Sequence, residues 1–582
     1  MASQRNRFRH SLVVNFDNEA AKAAFKTRAE HIRSVLSPAG QPTLDNAGLM
    51  SAMFDLVEQL IPAPYAGSPS VVPARQSFNK DSGIYTGNIR PDDEAAFLTE
   101  RTCLADLLEG LKTSCSCGLS VNPWTVGSLV QKGHVLRLKF SCRRCHVAER
   151  TWSSSRVFGA RYFLNQKMVH SLTCAGVLPV QYIKLSKFAG IGHVGHGYMK
   201  KVYYASGYSD IVGRMAEESM NAAVDEVKAL PAYAENGEWV ITDARHDSTA
   251  NAYHTTVPCL AGSTKKIVGI STVSRTDHGV AQTRELQCTK IAVPQAIARG
   301  LNVVEVAHDM QHQVSRYVTS DLGLKNSFDT WHGTKNLSKC LQKVTQGRVR
   351  DKGLTWFPEL VDKRKSIKVH LYWAMKNCDG DGQKLRSLIE NIAMHYQDNH
   401  LECHPSSTCH LPHYAPGKDL LTDPATVQQL EKQLKDTYIY RFPESFCRCR
   451  DMYWVESFNH QLLCYISKRI HYSTRVFSMR MNLAVLDWNE NVGREHTSER
   501  KLKDLRRPDR RTAMKALVKK TYEFAYVLWT TYVTKNMTSL DFLDEDDGDD
   551  GDDSDTLEDG EIVPDSDSDY EDDDPGCVGP DV

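Results

Sequence analysis

Four short apolar runs, rich in β-branched residues, lie between residues 238 and 309 and constrain the fold more than any other feature of this sequence. The first, EWVITDARHD, ends in acidic residues, and so does the last, NVVEVAHD. The two runs between them, AYHTTVPCL and KKIVGISTVSR, meet at a turn over Ala261-Gly262-Ser263. Runs of this length and composition, bounded by glycine and polar residues, predict four β-strands.

Two helices are predicted, one before and one after the fourth strand. VPQAIARG predicts the end of a helix before the fourth strand, with Gly300 as the stop, and DMQHQVSRYVTSDLG predicts a helix after that strand. Three strands, a helix, a strand and a helix are the elements that an RNase H-like core requires. We therefore predict an α/β fold with an RNase H-like mixed sheet flanked by helices, a mainly helical insertion and an N-terminal zinc-ribbon-like module.

Shifts in composition along the chain predict its domain organisation. The expected segments are a partly helical N-terminal region with a Pro/Ser linker (1–95), a zinc-ribbon-like module (96–150), a helical region (151–232), the first part of the RNase H-like core (233–340), a helical Cys/His-containing insertion (341–448), the final helices of the core with a basic segment (449–540), and a disordered acidic tail (541–582).

Two of the predicted strands end in an acid, Asp243 on the first and Asp309 on the fourth. A third acid, Glu456, stands early in the amphipathic helical segment YWVESFNHQLLCYISKR. An acid that ends a strand is more often a cap or a solvated residue. Three converging carboxylates nevertheless suit Mg²⁺ or Mn²⁺, which are hard ions that prefer oxygen ligands. Two such ions about 3.5–4 Å apart can activate the attacking oxygen and stabilise the leaving oxygen in phosphodiester cleavage.

Four segments resemble, in the same order, segments of Kolobok-type transposases, with related forms in Mutator-like elements. DARHDS (243–248) resembles their Asp-Gly-Arg-Tyr-Asp-Ser segment, and AHDMQHQVSRYV resembles the segment of their second acid. SFDTWHGTKNLSKCL (327–341) resembles their Phe-Asp-x-Trp-His-x-x-Lys segment. ESFNHQLLCYISKRIHYSTRVFSMRMNLAVLDWNEN (456–491) resembles the helix of their third acid and its continuation. The resemblance covers roughly residues 235–495, a little under half of the chain.

The resemblance implies a DDE catalytic core with an insertion between the second Asp and the Glu, which cuts and joins DNA with Mg²⁺. Position by position, it places the catalytic, metal-binding acids at Asp243, Asp309 and Glu456. The expected function is therefore that of a DNA transposase or of a host protein derived from one. The alternatives are a domesticated sequence-specific DNA-binding or chromatin regulator without catalytic activity, and a structure-specific nuclease.

A second residue, Asp247, is a candidate for the first acid of the triad. Asp247 could take this role instead of Asp243 or could assist Asp243, but we favour Asp243 because it directly ends the apolar run. The sequence also departs from the family pattern at Ala244, at Thr249-Ala250 and at Met310, and none of these departures removes a carboxylate.

The segment around Trp331 has two interpretations. Asp329, Trp331, His332 and Lys335 either contact DNA or support the acidic site. Alternatively, Phe328 and Trp331 are core residues and Asp329 caps a helix, an interpretation that we favour slightly.

A group of four cysteines has the spacing of a zinc ribbon. Cys115-Ser-Cys117 is followed by 24 residues and then by Cys142-Arg-Arg-Cys145. Two pairs of thiolates on tight turns can enclose Zn²⁺ tetrahedrally. We predict a structural zinc ion here, and we expect Arg143 and Arg144 to contact phosphates. The alternative is four reduced cysteines that lie near one another by chance.

A second group of Cys and His residues lies in HYQDNHLECHPSSTCHLPH, within the predicted insertion. Several choices of ligand fit a zinc ion, and surface histidines around a loop are nearly as good an explanation. The candidates are His395, His400, Cys403, His404, Cys409, His410 and His413.

The charges of the chain are segregated, which makes its net charge of −1 misleading. Residues 541–582 contain 21 acidic residues and no Lys or Arg, so the rest of the chain has 71 basic and 51 acidic residues. A body with a net charge of about +20 suits a polyanion such as DNA. The tail is too charged to fold and is expected to bind either the basic body or chromatin proteins.

The basic charge is concentrated between Arg500 and Lys520, where ten residues are Lys or Arg. We interpret this segment as the start of a basic helix that becomes apolar-faced, and we expect Arg506, Arg507, Arg510 and Arg511 to bind DNA. A solvated helix face is the alternative.

The N-terminal residues MASQRNRFRHSLVVNF lack an apolar export signal, and no apolar run is long enough to span a membrane. We therefore expect a soluble intracellular protein with reduced cysteines, located in the nucleus. Its expected partners are DNA, a second copy of the chain in a homodimer, and chromatin proteins, with no membrane.

Deletion of residues 541–582 should tighten DNA binding at low salt, because the acidic tail competes with DNA for the basic body. Fluorescence anisotropy with a short duplex, at low and at moderate salt, would measure the effect. An unchanged dissociation constant at low salt would exclude this competition.

Overall fold

The computed structural model describes residues 76–79, 84–87, 97–158, 161–247, 252–277, 281–346, 357–468, 470–503 and 511–538. The predictions for Arg506, Arg507, Arg510, the acidic tail and most of residues 1–95 lie outside these residues. The chain forms two compact units. Among the described residues, the smaller unit contains Ser114–Thr125, Cys142–Cys145 and the strands between residues 76 and 87, and the larger unit contains the remainder. The fold is mixed α/β, with mixed sheets and helices, as the sequence predicted at this level. In the described part of the chain, no helix combines the length and the apolar character needed to cross a bilayer.

The strands are numbered in chain order. They are β1 Gln76–Asn79, β2 Ile84–Gly87, β3 Trp124–Lys132, β4 Val135–Cys142, β5 Glu149–Ser153, β6 Val157–Phe158, β7 Arg161–Tyr162, β8 Glu238–Thr242, β9 Arg245–His246, β10 His254–Ala261, β11 Ile267–Ser274, β12 Val303–His308, β13 Lys325–Phe328, β14 His496–Lys503 and β15 Arg511–Leu517.

The helices follow the same convention. They are α1 Arg101–Leu111, α2 Phe163–Cys174, α3 Pro179–Phe188, α4 His196–Lys200, α5 Tyr208–Lys228, α6 Tyr233–Asn236, α7 Ala281–Ala298, α8 His312–Arg316, α9 Thr330–Gln346, α10 Arg364–Asn377, α11 Gly382–His395, α12 Pro424–Lys435, α13 Tyr438–Arg441, α14 Tyr453–Gln461, α15 Thr474–Asn491 and α16 Glu523–Thr538. Two π-helical turns, Lys201–Ala205 and Tyr317–Asp321, continue α4 and α8.

A mixed sheet lies at the centre of the larger unit. Its strands are ordered β11-β10-β8-β12-β13, and the short β9 also pairs with β10. β10 is antiparallel to both β11 and β8, whereas β12 is parallel to both β8 and β13. All four strands predicted between residues 238 and 309 are confirmed, and so are the helices before and after the fourth.

Both faces of this sheet are covered, which explains why its strands are so apolar. Successive side chains of a strand point to opposite faces. Ile241 and Leu260 accordingly belong to a core with residues of α5, α14 and α15, while the adjacent Val240 and Cys259 belong to a second core with residues of α7. Gly269 permits the close approach of α7 to β11, because a Cβ atom there would lie 2.4 Å from the carbonyl oxygen of Ala292.

A third apolar core lies among the helices that follow the sheet. It contains buried residues of α9 to α13, together with Phe328 at the end of β13. Within the described part of residues 341–448, the secondary structure is helical and contains no strand, which confirms that this region is mainly helical.

The described residues of the basic segment do not form the helix that we predicted. The residues before and after the gap at 504–510 form β14 and β15, which pair antiparallel with Arg500 opposite Met514, and Arg511 begins β15. The many Lys, Arg, Ala and Leu residues favour a helix locally. Pairing between the two strands overrides that preference. The apolar helix expected after the segment is present as α16.

A buried side chain completes the edge of the central sheet. Asn489 on α15 is 5% exposed. Its Oδ1 accepts a hydrogen bond of 2.7 Å from the backbone N–H of Ile267 on β11, and its Nδ2 donates one of 3.0 Å to the carbonyl oxygen of the same residue. The amide therefore takes the place of a neighbouring strand at this position.

The substitution Asn489→Ala should lower the free energy of unfolding by about 1–3 kcal/mol, because it leaves buried backbone groups of Ile267 without partners. Chemical denaturation followed by tryptophan fluorescence would measure the change. Asn221→Ala, at an exposed position of α5, is the matched control and should have little effect. Equal stability of the two variants would contradict this role for Asn489.

Candidate functional site

Asp243 and Asp309 lie at matching positions on neighbouring strands. Asp243 directly follows β8, and Asp309 directly follows β12. The parallel register pairs Ile241 with Ala307, and each of these residues stands two positions before its acid. The two acids therefore leave the sheet side by side at the carboxyl ends of β8 and β12.

Helix α14 brings Glu456 to the same region. Val455 and Phe458 are fully buried and anchor the helix in the core that covers one face of the sheet. The Nδ2 of Asn459, one turn after Glu456, donates a hydrogen bond of 2.9 Å to Oδ2 of Asp243. This contact ties α14 directly to the carboxylate that ends β8.

The carboxylates influence one another. Burial first, and then the Asp309, Glu285 and Glu456 carboxylates in that order, raise the pKa of Asp243 to about 8, against the hydrogen bond from Asn459. The pKa of Glu456 is also raised, through desolvation first and then through the nearby Asp329 carboxylate. Negative charge concentrated in this way favours the binding of a proton or of a metal cation.

Glu285 is a fourth acid that the sequence analysis missed. It is half-buried on α7, and burial together with the Asp309 carboxylate raises its pKa to about 7. A signal was available, because Glu285 is the single acidic residue in the sequence of this helix. The helix signals in the sequence mark only the end of this helix, however, and Glu285 lies near its start.

His332 connects Asp309 to Asp329. Its Nδ1 lies 3.2 Å from Oδ1 of Asp309 and 2.8 Å from Oδ2 of Asp329. Hydrogen bonds with these two carboxylates raise the pKa of His332 to about 10. These three residues are close enough to hold a metal ion. The raised pKa instead favours an imidazolium that pairs with both carboxylates.

The helix-cap interpretation of Asp329 is confirmed. Its buried carboxylate accepts hydrogen bonds from the backbone N–H groups of His332 and Met452. Phe328 is a core residue, as predicted. Trp331 is half-buried, and the Nζ of Lys335 lies 4.0 Å from the centre of its ring.

Asp247 is engaged in holding the backbone. Its two oxygens accept hydrogen bonds of 2.8 Å from the N–H groups of Tyr253 and His254, and the carboxylate also contacts the His254 ring. These contacts outweigh burial and lower the pKa of Asp247. The contrast with Asp243 supports the choice of Asp243 as the first acid.

A buried ion pair that the sequence analysis missed positions the chain just before α14. Glu305 on β12 is 2% exposed. Its carboxylate contacts Arg448 at 3.0 Å and Arg450 at 2.9 Å, and Arg450 also lies over the ring of Trp239. The start of α14 is therefore held near the sheet by charge as well as by apolar packing.

The four cysteines of the smaller unit converge. The Sγ atoms of Cys115 and Cys145 lie 3.7 Å apart, and so do those of Cys117 and Cys142. Zn–S bonds of about 2.3 Å arranged tetrahedrally would place the sulfur atoms about 3.8 Å apart. Hydrogen bonds from the backbone N–H groups of Cys145 and Arg144 lower the pKa of Cys142 to about 6. The cluster can hold a zinc ion.

Of the arginines predicted to bind DNA, the structure describes the surroundings of Arg143 and Arg144. Arg143 lies in the second cysteine turn, where its Nη1 donates a hydrogen bond to the carbonyl oxygen of Asn122. Arg144 in the same turn is exposed.

Of the seven Cys and His candidates in the insertion, the structure brings four together: His395, His400, Cys403 and Cys409. This second cluster can also hold a zinc ion.

Neither the protein-family models nor the curated proteins give a match to this chain.

Replacement of Cys142 by Ser should lower the zinc content of the purified protein by about one ion per chain, because a four-thiolate site loses a ligand. Elemental analysis after gel filtration would measure the content. Cys464→Ser, which changes an exposed cysteine outside both clusters, is the control and should retain all zinc. Unchanged zinc in Cys142→Ser would show that these thiolates do not hold the metal.

Proposed function

We propose that this chain is a DDE-type DNA transposase, or a host protein derived from one, that cuts and joins DNA at Asp243, Asp309 and Glu456. The observation that carries the proposal is that Asp243 and Asp309 leave the sheet side by side, while Asn459 of α14, one turn after Glu456, donates a hydrogen bond to Asp243. These residues come from widely separated parts of the sequence. Their mutual electrostatic effects appear in the raised pKa values of Asp243 and Glu456.

The sheet supports the same proposal. An antiparallel β11-β10-β8 meander followed by the parallel strands β12 and β13 is the arrangement expected of an RNase H-like core. The helices α9 to α13 stand in the chain between the second and third acids, as an insertion would. This agrees with the order of segments that the resemblance to Kolobok-type and Mutator-like transposases implies.

The residues fit a hard divalent cation. The proposed ligands are carboxylates, and burial of Asp243 among other acids makes a compensating cation favourable. Asp243, Asp309 and Glu456 would hold Mg²⁺ or Mn²⁺, with Glu285 close enough to influence the site. When bound, such ions lower the barrier to phosphodiester cleavage by activating the attacking oxygen and stabilising the leaving oxygen.

The neighbouring side chains have positioning roles in this proposal. Asn459 orients Asp243 through its 2.9 Å hydrogen bond. His332 restrains Asp309 and is itself restrained by Asp329. Partners of this kind fix the direction of ligand lone pairs.

Binding to DNA is proposed from the basic residues and the cysteine cluster. Ten Lys and Arg between Arg500 and Lys520 supply charge for phosphate contacts, together with Arg143 and Arg144. Zinc at Cys115, Cys117, Cys142 and Cys145 would be structural, because four protein ligands leave no open position. A nuclear location and chromatin partners for the tail remain part of the proposal.

A second candidate is a domesticated DNA-binding or chromatin regulator without catalytic activity. The basic residues on and between β14 and β15 support this function equally, since binding to phosphates does not depend on the acids.

Purified protein should cleave DNA carrying the ends that flank its gene, in the presence of Mg²⁺ or Mn²⁺. Asp243→Asn, Asp309→Asn and Glu456→Gln should reduce cleavage to background, because each removes a charged ligand. Asn459→Ala should reduce it by about 10–100-fold, the usual effect of losing a partner that orients a ligand. Gel assays of end-labelled DNA would measure all four variants.

Asp321→Asn, at an exposed position of the same unit, is the matched control and should cleave like the wild type. Salt-dependent DNA binding by every variant would show that the substitutions impair the cleavage reaction and not the binding of DNA. A wild type that binds the DNA and does not cut it would favour the regulator, and cleavage by Asp309→Asn would overturn the assignment of the acids.

A further inference from the structure

The long connection between α11 and α12 has little regular structure and little buried apolar surface. Residues 396–423 are all described, and their regular structure is limited to the 3₁₀ turn Thr408–His410. Leu421 is their only buried apolar residue, while Leu401 and Leu411 are 88% and 60% exposed. A connection of this length costs much conformational entropy and needs a compensating interaction.

We propose that this connection is held by a zinc ion bound to His395, His400, Cys403 and Cys409. One potential ligand atom from each of the four lies within 4.8 Å of the others. The Sγ of Cys403 lies 3.5 Å from Nδ1 of His395 and 3.7 Å from Nδ1 of His400. Two thiolates and two imidazoles are a donor set that zinc binds tetrahedrally.

The groups around the cluster support metal binding. His400 directs Nδ1 toward Cys403, and its Nε2 lies 3.1 Å from Oδ1 of Asp398. A carboxylate on the far nitrogen is the usual partner of a zinc-binding histidine, because it fixes the tautomer that leaves the other nitrogen free to bind. The Nδ2 of Asn391 on α11 donates a hydrogen bond of 3.2 Å to the Sγ of Cys403, which would stabilise a thiolate.

The structure does not favour the other three candidates, all histidines, as zinc ligands. Nδ1 of His404 accepts a hydrogen bond from the backbone N–H of Ser406. Nε2 of His410 lies 3.2 Å from the carbonyl oxygen of Cys403, a distance that suits donation by the ring. His413 is exposed and is not part of the cluster.

The site would be structural, because protein ligands fill all four positions. His395 is the last residue of α11, whereas the other three ligands belong to the connection. The zinc ion therefore attaches the connection to the end of a helix that is anchored in the core of the insertion. This inference does not rest on the proposed function, and it adds a site of different composition to the four-cysteine cluster.

Zinc analysis of the full-length wild type tests the proposal without any substitution. The two clusters together should hold about two zinc ions per chain, and X-ray absorption should give an average of about three sulfur and one nitrogen ligand per ion. About one ion per chain with sulfur ligands alone would overturn the proposal. So would a disulfide between Cys403 and Cys409 in protein purified without oxidant.

Substitutions identify the ligands. Cys403→Ser and Cys409→Ser should each lower zinc from about two ions to one, since a tetrahedral site binds weakly without one thiolate. His404→Ala, His413→Ala and Cys464→Ser should retain two. Loss of zinc from His404→Ala, or two ions in Cys403→Ser, would overturn the ligand assignment.

A proteolysis measurement separates local from global effects. Lys418 is the only Lys or Arg within residues 396–423 and is exposed. Trypsin should cut after Lys418 at least several-fold faster in Cys403→Ser than in Cys464→Ser. Mass spectra should show equal rates of cleavage at the other tryptic sites of the two variants. An equal rate at Lys418 would show that no ion holds this connection.

Discussion

The parallel pairing of β8 with β12 is the contact on which the rest of the structure depends. It joins two strands separated by a meander and a helix, and it brings Asp243 and Asp309 to one edge of the sheet. The pairing is stable because both faces of the sheet are buried, one against α5, α14 and α15 and the other mainly against α7. A shift of the register by one residue would exchange these faces and separate the two acids.

Glu456 reaches the same edge through buried contacts that are polar as well as apolar. Asp329 accepts the N–H of Met452, and Glu305 binds Arg448 and Arg450 just before α14. A buried carboxylate destabilises the fold unless it is paired. Loss of either arginine should therefore weaken the attachment of α14 to the sheet. The helical insertion can be long because these contacts fix the chain where it returns to the sheet.

The chain keeps carboxylates and thiolates, two kinds of potential metal ligand, in separate places. Carboxylates lie at the ends of β8 and β12 beside the imidazole of His332, whereas thiolates lie in two groups on turns and loops, one of which also contains two imidazoles. Oxygen ligands favour Mg²⁺ or Mn²⁺, and thiolates favour zinc. This separation by donor type allows different ions to be proposed for these groups.

The sequence alone predicted four of the six strands of the central sheet, the acids Asp243, Asp309 and Glu456 as candidates, and the four-cysteine cluster. These features are local: apolar runs of strand length, acids that end them, and cysteines paired on short turns. The tertiary structure decided what depends on distant contacts. It placed Glu285 near the acids, assigned Asp247 to the backbone and Asp329 to a helix cap, paired β14 with β15 against their helical preference, and brought four of the seven candidate ligands in the insertion together. Spacing along a chain cannot show these outcomes, because they depend on which side chains meet after packing.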